Sequence, residues 1–321
     1  MTETASPLRV LSIGDLVADL VVTIPHLPVE ARQHQLARSV RIEPGGAGNF
    51  LIAGARLGMQ MRAAGALGAD IFGQAVADRL QAEQVNLGGV IRSPGSTTTT
   101  VIVLVDDQGE HVFLGAYGDG AALDLPQSWM DEIAASHAVF SVGYTLQEKR
   151  IAAATLDALQ VARRSGVPVF FDPGFEMARG TAEQKRLALA ASRVLLLTEE
   201  ELPMLTGGEG GVAAARRLLD SGPELVCLKQ GAKGCTLVSR SQVVTHPGYP
   251  VTARDTAAAG DSFAAAFIYA YLKKWPLQDI AAFANAMGAA KVQKVGSGSN
   301  VPTAAEVQQI LRTFAVDLMI D

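Results

Sequence analysis

Seven residues near the C-terminal end carry the strongest chemical signal: Asp255-Thr256-Ala257-Ala258-Ala259-Gly260-Asp261, followed at once by the apolar stretch Ser262 to Leu272, which predicts a helix. Small residues at a helix start let free backbone N–H groups approach an anion, and the helix dipole adds a favourable potential there. This end can hold a phosphate. An acidic side chain at such a spot repels the anion it would bind. Asp261 makes sense there as a base that takes a proton from an incoming hydroxyl while the neighbouring amides stabilise a transferring phosphoryl group. The same residues also read as an ordinary helix start, since Asp is favoured in the first turn of any helix and Ala-Ala-Gly packs tightly.

A second small-residue segment, Pro44-Gly45-Gly46-Ala47-Gly48-Asn49, precedes a predicted helix from about Phe50 to Leu57. Gly45 and Gly46 permit close approach of a ligand to the backbone, and Asn49 both donates to and accepts from a hydroxyl. No Gly-Lys-Ser/Thr follows, so this is not a phosphate loop of the Walker A kind. The Gly-x-Gly-x-x-Gly spacing of dinucleotide folds is missing too. Asp172-Pro173-Gly174 reads as a turn. The histidines, His26, His34, His111, His137 and His246, lack metal-ligand spacing.

The elements that must position these residues follow from periodicity. From about Ile151 onward, Ala/Leu-rich helical stretches alternate with short apolar runs, the pattern of a parallel sheet with covering helices. Val169 to Phe171, Val194 to Leu197 and Leu225 to Lys229 read as buried strands, with helices at about Thr181 to Ser192 and Val212 to Asp220 between them. The first strand is Arg9 to Ile13, and a further helix spans Ile71 to Ala82. Two segments, about 20–43 and 97–117, carry β-branched or alternating runs and predict antiparallel strands inserted beside the sheet as a small lid. Gly14-Asp15, Asp172, Thr198 to Glu201 and Gln230 to Gly234 all fall just after predicted strands, which puts them on one rim of a parallel sheet, where ligands of such folds bind.

Taken together, the two Gly- and Ala-rich segments resemble the paired signatures of the ribokinase-like (PfkB) family of sugar kinases. The resemblance extends over nearly the whole chain. It includes Ile13-Gly14-Asp15 with Asp19 four residues on, Gly65-Ala66-Leu67-Gly68-Ala69-Asp70 with Gly73, and the region from Asn285 to Pro302. It implies a three-layer α/β/α domain with a mostly parallel central sheet and a β lid, spanning 1–321 as a single unit. It also implies an ATP- and Mg2+-dependent transfer of phosphate to a hydroxymethyl group. Asp261 corresponds to the catalytic base, and Ala258, Ala259 and Gly260 to the anion hole. Asp19, Gly45, Gly46 and Asn49 match positions that grip sugar hydroxyls. Lys229, Gly231 and Gly234 lie where the family's strand and loop approach the nucleotide, and Asn285 flanks the adenine pocket. Glu201 keeps an acidic position that organises magnesium through water. Asp255, with carbonyls near Ala257 and Gly296, matches a monovalent-cation (K+) site that shapes the anion hole in many members.

Departures from the family pattern narrow what is implied. Thr198 stands where an Asn is common before Glu201. Tyr144 occupies a substrate-facing position where ribokinase-type members carry Glu, which argues against D-ribose as the acceptor. Asp172-Pro173-Gly174 lacks the Arg of the family's Asp-Pro-x-Arg segment. A nucleoside acceptor is the alternative within the family, and a sensor that binds sugar or nucleotide without turnover is the alternative outside it.

Composition agrees with a protein that binds small molecules. The 321 residues are 49% hydrophobic and 18% charged, with a formal net charge of -5 and no basic run, so nothing recruits a nucleic acid. Cys227 and Cys235 match no zinc or redox spacing and read as buried thiols in a reducing compartment. No signal segment or apolar run long enough to cross a bilayer is present, so the expectation is a cytoplasmic protein. The two exposed β segments predict a homodimer formed lid to lid.

Overall fold

The computed structural model describes residues 7–320. Its strands, in chain order, are β1 (Arg9–Ile13), β2 (Leu16–Thr23), β3 (Ser39–Gly46), β4 (Gln60–Gly68), β5 (Asn86–Ser93), β6 (Thr100–Val105), β7 (His111–Ala116), β8 (Ala138–Val142), β9 (Val169–Asp172), β10 (Val194–Thr198), β11 (Leu225–Lys229), β12 (Cys235–Ser239) and β13 (Val243–His246). The helices are α1 (Ala47–Arg56), α2 (Ile71–Ala82), α3 (Gln127–Ala134), α4 (Ala152–Arg164), α5 (Ala182–Ala191), α6 (Leu202–Thr206), α7 (Gly211–Leu218), α8 (Ala259–Leu272), α9 (Leu277–Val292) and α10 (Ala304–Thr313).

The large sheet has the spatial order β13-β12-β11-β10-β9-β8-β1-β4-β5. From β5 to β11 every pairing is parallel, and β12 and β13 add on antiparallel. A sheet buried on both faces needs apolar residues in both registers, and the central strands supply them. On β10, Val194 and Leu196 join the core under α1, α2, α8, α9 and α10, while Leu195 and Leu197 join the core under α3, α4, α5 and α7. Helix α8 packs between α1 and α9 and is buried from Ser262 through Ala270, in keeping with its near absence of polar residues.

The small sheet, in the order β3-β2-β6-β7, differs from the sequence expectation in one respect. β2–β3 and β6–β7 are antiparallel as expected, but the two pairs join through a parallel contact between β2 and β6. That pairing links segments far apart in the chain, so no local pattern announces it. β2 also begins at Leu16, directly after β1, which ties the small sheet to the first strand of the large one.

The faces of the small sheet divide by register. Asp19, Val21, Val101, Val103 and Val105 share one face with Arg41, Glu43, His111 and Phe113, and Val21, Val103 and Val105 are buried there. The opposite face carries Leu20, Val22, Val40, Ile42, Ile102, Leu104, Val112 and Leu114, all aliphatic.

Candidate active site

The site forms where the N-terminus of α8 meets the carboxyl rim of the parallel strands. Helix α8 starts at Ala259, earlier than the sequence suggests, so Asp261 sits inside its first turn. Ala258 precedes it in the left-handed region (φ 60°, ψ 10°), a conformation that costs a non-glycine residue roughly 1–2 kcal/mol. Such strain persists only where surrounding structure enforces it, and it clusters at ligand sites. Here it turns the small residues before α8 so that the helix N-terminus opens into a cleft.

Asp261 is held from the other side of the cleft. Asn49, in the first turn of α1, donates from Nδ2 to Asp261 Oδ2 at 3.2 Å and accepts from the Gly298 N–H at 2.7 Å. Burial pushes the Asp261 carboxyl up to about 7. The Asp172 charge pushes the same way, against the Asn49 hydrogen bond and the positive charges of Lys229 and Lys291. A carboxylate with this proton affinity near neutral pH suits a general base.

The segment from Gly45 to Asn49 folds tightly around two side chains. A Cβ at Gly45 would collide with the Asp19 carboxylate, and one at Gly46 (φ 45°) with the Tyr144 hydroxyl. A larger residue at either position would displace one of these side chains, and Gly46 also holds a positive φ. Tyr144 Oη accepts from the Ala47 N–H at 2.8 Å, and Ser297 Oγ donates to Asp19 Oδ2 at 3.3 Å. Burial, helped by the charges of Asp261 and Glu43, raises Asp19 to about 7 despite the Ser297 bond. Asp19, Asn49, Tyr144 and Asp261 thus converge from β2, α1, the turn after β8 and α8.

Across α8 lies a cavity of about 340 Å³ lined by Thr198, Lys229, Gly231, Gly234, Ala259, Gly260 and Asn285 among others. Lys229, Gly231, Gly234 and Asn285 were expected together, and they are together. Lys229 Nζ donates to Asp172 Oδ2 at 2.5 Å beside Gly260. Burial would lower the Lys229 pKa, but the charges of Asp172 and Glu201 outweigh it and hold it above its usual value. Asp172, which the sequence places in a turn, is therefore part of the site. Its position at the carboxyl end of β9 was the available signal. Glu201 is buried, with Oε2 accepting from the Thr198 N–H at 2.8 Å, and burial followed by the Asp172 charge raises its pKa.

Asp255 lies beneath the start of α8. Its carboxylate accepts from the Ala257 N–H at 2.8 Å and the Gly296 N–H at 2.6 Å, so it joins the turn into α8 to the segment after α9. Lys291 is buried close by and donates to the Lys294 carbonyl at 3.0 Å. The sequence reading passed over Lys291, Glu43 and Ser297. Glu43 Oε1 accepts from Ser299 Oγ at 2.6 Å and Oε2 from the Ser299 N–H at 3.0 Å. Among the described residues, no group of three or more His, Cys, Asp or Glu is arranged to hold a metal ion by itself.

Comparison with known proteins bears on the family and the fold. The chain matches the model of the pfkB family carbohydrate kinases over residues 8–304. It is 33% identical over 306 residues to the ATP-dependent ribose-1-phosphate kinase of Halopiger xanaduensis, covering 94% of this chain and 98% of that protein. To fructokinase-1 of Oryza sativa subsp. japonica it is 28% identical over 320 residues, covering 95% and 98%. Arabidopsis thaliana ribokinase, solved with ribose and ATP, shares the fold with a TM-score of 0.82 at 23% identity, covering 95% of this chain and 99% of that one. With the family model matched along most of its length and relatives of nearly equal extent, the chain belongs to the PfkB family of carbohydrate kinases.

Proposed function

We propose that this kinase moves the γ-phosphoryl group of ATP onto a hydroxymethyl group of a small sugar or sugar-like molecule, with Asp261 as the base. One observation carries the reading: the partly buried Asp261 carboxylate stands in the first turn of α8, bonded to Asn49 on one side and next to the Lys229-lined cavity on the other. ATP lies in that cavity with its adenine toward Asn285 and its phosphates toward Gly260 and Lys229. The acceptor sits against Asp19, Gly45, Gly46, Asn49 and Tyr144. Asp261 takes the hydroxyl proton as the oxygen attacks, and the N–H groups at the start of α8, around Ala258, Ala259 and Gly260, receive the charge of the transferring group.

Magnesium bound with ATP neutralises phosphate charge, and Glu201 suits the role of holding its water, because only Oε2 is engaged with Thr198 and its buried surroundings favour a nearby cation. The small sheet acts as a lid, excluding water that would otherwise hydrolyse ATP. Its exposed aliphatic face makes a homodimer part of the same reading.

A nucleoside acceptor is favoured by one feature, the apolar inner wall of the lid formed by Val21, Val103 and Phe113, which suits a base better than a hydroxyl-rich ring. The deciding experiment is ADP release from MgATP across pentoses, hexoses, ketoses, sugar acids and nucleosides, with Asp261→Asn as the comparison. Acceptor-stimulated release that drops by about 10²-fold or more in Asp261→Asn is expected. Near-normal phosphorylation by that variant would remove Asp261 from its role. ATP binding without stimulation by any acceptor would favour a sensor.

A further inference from the structure

Helix α9 ends with a charged side chain that neither its packing nor the reaction outlined above explains. Lys291 is completely excluded from solvent, an unusual place for a lysine unless its charge is answered. Its ammonium has three donors, and one of them meets the Lys294 carbonyl at 3.0 Å. Burial lowers its pKa, with Lys294 repelling in the same direction, and Asp255 and Asp261 attract against both.

The backbone next to Lys291 is tied to the turn that leads into α8. The Arg254 and Asp255 N–H groups donate to the Val292 carbonyl at 2.7 and 3.1 Å, and Asp255 in turn accepts from Ala257 and Gly296. One buried carboxylate therefore fixes both the turn into α8 and the segment after α9. A buried carboxylate needs a counter-charge, and the resemblance to the family implies that a monovalent ion supplies it. In this chain an ion beside Asp255 would put a second buried positive charge next to Lys291. It would have to share with Lys291 a carboxylate whose two oxygens each accept one backbone N–H. The residues present do not fit an additional ion.

We propose that the Lys291 ammonium is the resident counter-charge of the anion-hole floor, taking the place of the monovalent ion, so that phosphoryl transfer by this kinase does not depend on potassium. A cation carried on the chain is present in every salt background. It holds the Lys294 carbonyl directly and balances Asp255, leaving the positive potential at the start of α8 for the phosphoryl group. Lys291 acts here as a positioning residue, through Asp255 and the loop.

The inference rests on the kinase reading, and its test separates the two. Acceptor-stimulated ADP release is measured in a buffer whose monovalent cation is tetramethylammonium, then with KCl replacing the tetramethylammonium salt at equal ionic strength. Rates within about twofold of each other are expected; activation by potassium of about tenfold or more overturns the proposal. No release with any acceptor in either buffer overturns the kinase reading instead. Lys291→Met, of similar length and uncharged, is expected to lose about tenfold or more in turnover without potassium and to regain part of it in KCl. Unchanged turnover in that variant also counts against the proposal. Potassium should raise the melting temperature of Lys291→Ala and leave the wild type unmoved; equal shifts in both overturn it. The wild-type comparison decides the matter however the variants fold.

Discussion

At the scale of single residues, the proton affinity of Asp261 sets both a rate and a stability. Its carboxyl is raised from 3.8 to about 7, mostly by burial and then by Asp172. If it is the base, kcat/KM falls about tenfold per pH unit below about pH 7, and a pH–rate profile measures that limb directly. A raised acid destabilises the fold as pH climbs, because the unfolded chain releases the proton first. The penalty is absent below about pH 4, grows between pH 4 and 7, and is complete above that. Asp261→Asn should therefore melt higher than the wild type at pH 8, by on the order of 4 kcal/mol at most, and lose that advantage at pH 4. A melting difference independent of pH would show that burial of the charged form costs nothing here. Asp172 is the second residue to test. It fixes the Lys229 ammonium beside Gly260 through one hydrogen bond, leaving the other donors for a phosphate. Asp172→Asn removes a negative charge near the phosphates while loosening Lys229. The expected result is a kcat lower by about tenfold with ATP binding as tight as before or tighter, whereas Lys229→Met weakens both. Binding titrations beside turnover distinguish the two patterns.

At the scale of elements, the contact between the small sheet and the segments that precede α8 and follow α9 is concentrated in a few places. Glu43 at the base of β3 takes both the N–H and the hydroxyl of Ser299, Asp19 of β2 takes Ser297, and the turn at Gly109 lies against the Arg254 carbonyl. Glu43→Ala breaks the first of these and leaves the nucleotide cavity untouched. Expected are a rise in the acceptor KM of about tenfold and faster ATP hydrolysis without acceptor, with ATP affinity unchanged. Unaltered values for both would mean that the Glu43 contact does not hold the lid. The sequence disclosed β1 and β11 to the residue and α2 likewise, because buried parallel strands and amphipathic helices are written in local periodicity. It also disclosed Asp261, Asn49, Gly45 and Gly46, whose small-residue surroundings are contiguous in the chain. What it did not disclose is non-local. The parallel β2–β6 contact, the Asp172–Lys229 pair and the burial of Lys291 each depend on segments far apart in the chain. A lysine near the end of a helix reads as a solvated terminal charge until the fold buries it.

At the scale of the whole molecule, one surface is out of keeping with the rest of an acidic protein. The outer face of the small sheet presents Leu20, Val22, Val40, Ile42, Ile102, Leu104, Val112 and Leu114, with Thr100 at its end. Val40 is 59% exposed and Leu114 56%. Contiguous apolar surface of this kind marks an interaction site, and a gently twisted sheet face packs well on a copy of itself about a twofold axis. Side chains on the other face of the same strands, Asp19 among them, face the proposed acceptor site, so pairing through the outer face would stiffen the lid from behind. Homodimerisation is therefore expected to affect the acceptor and not the nucleotide. Leu114→Asp places a charge on that face and on its symmetry mate, where neither can be solvated without parting the sheets. Sedimentation should find the wild type as a dimer insensitive to salt and the variant as a monomer, with the acceptor KM raised and ATP affinity kept. A monomeric wild type would leave the aliphatic face without the partner argued for here, whereas a dimer that survives Leu114→Asp would place the interface on another surface and uncouple it from the lid.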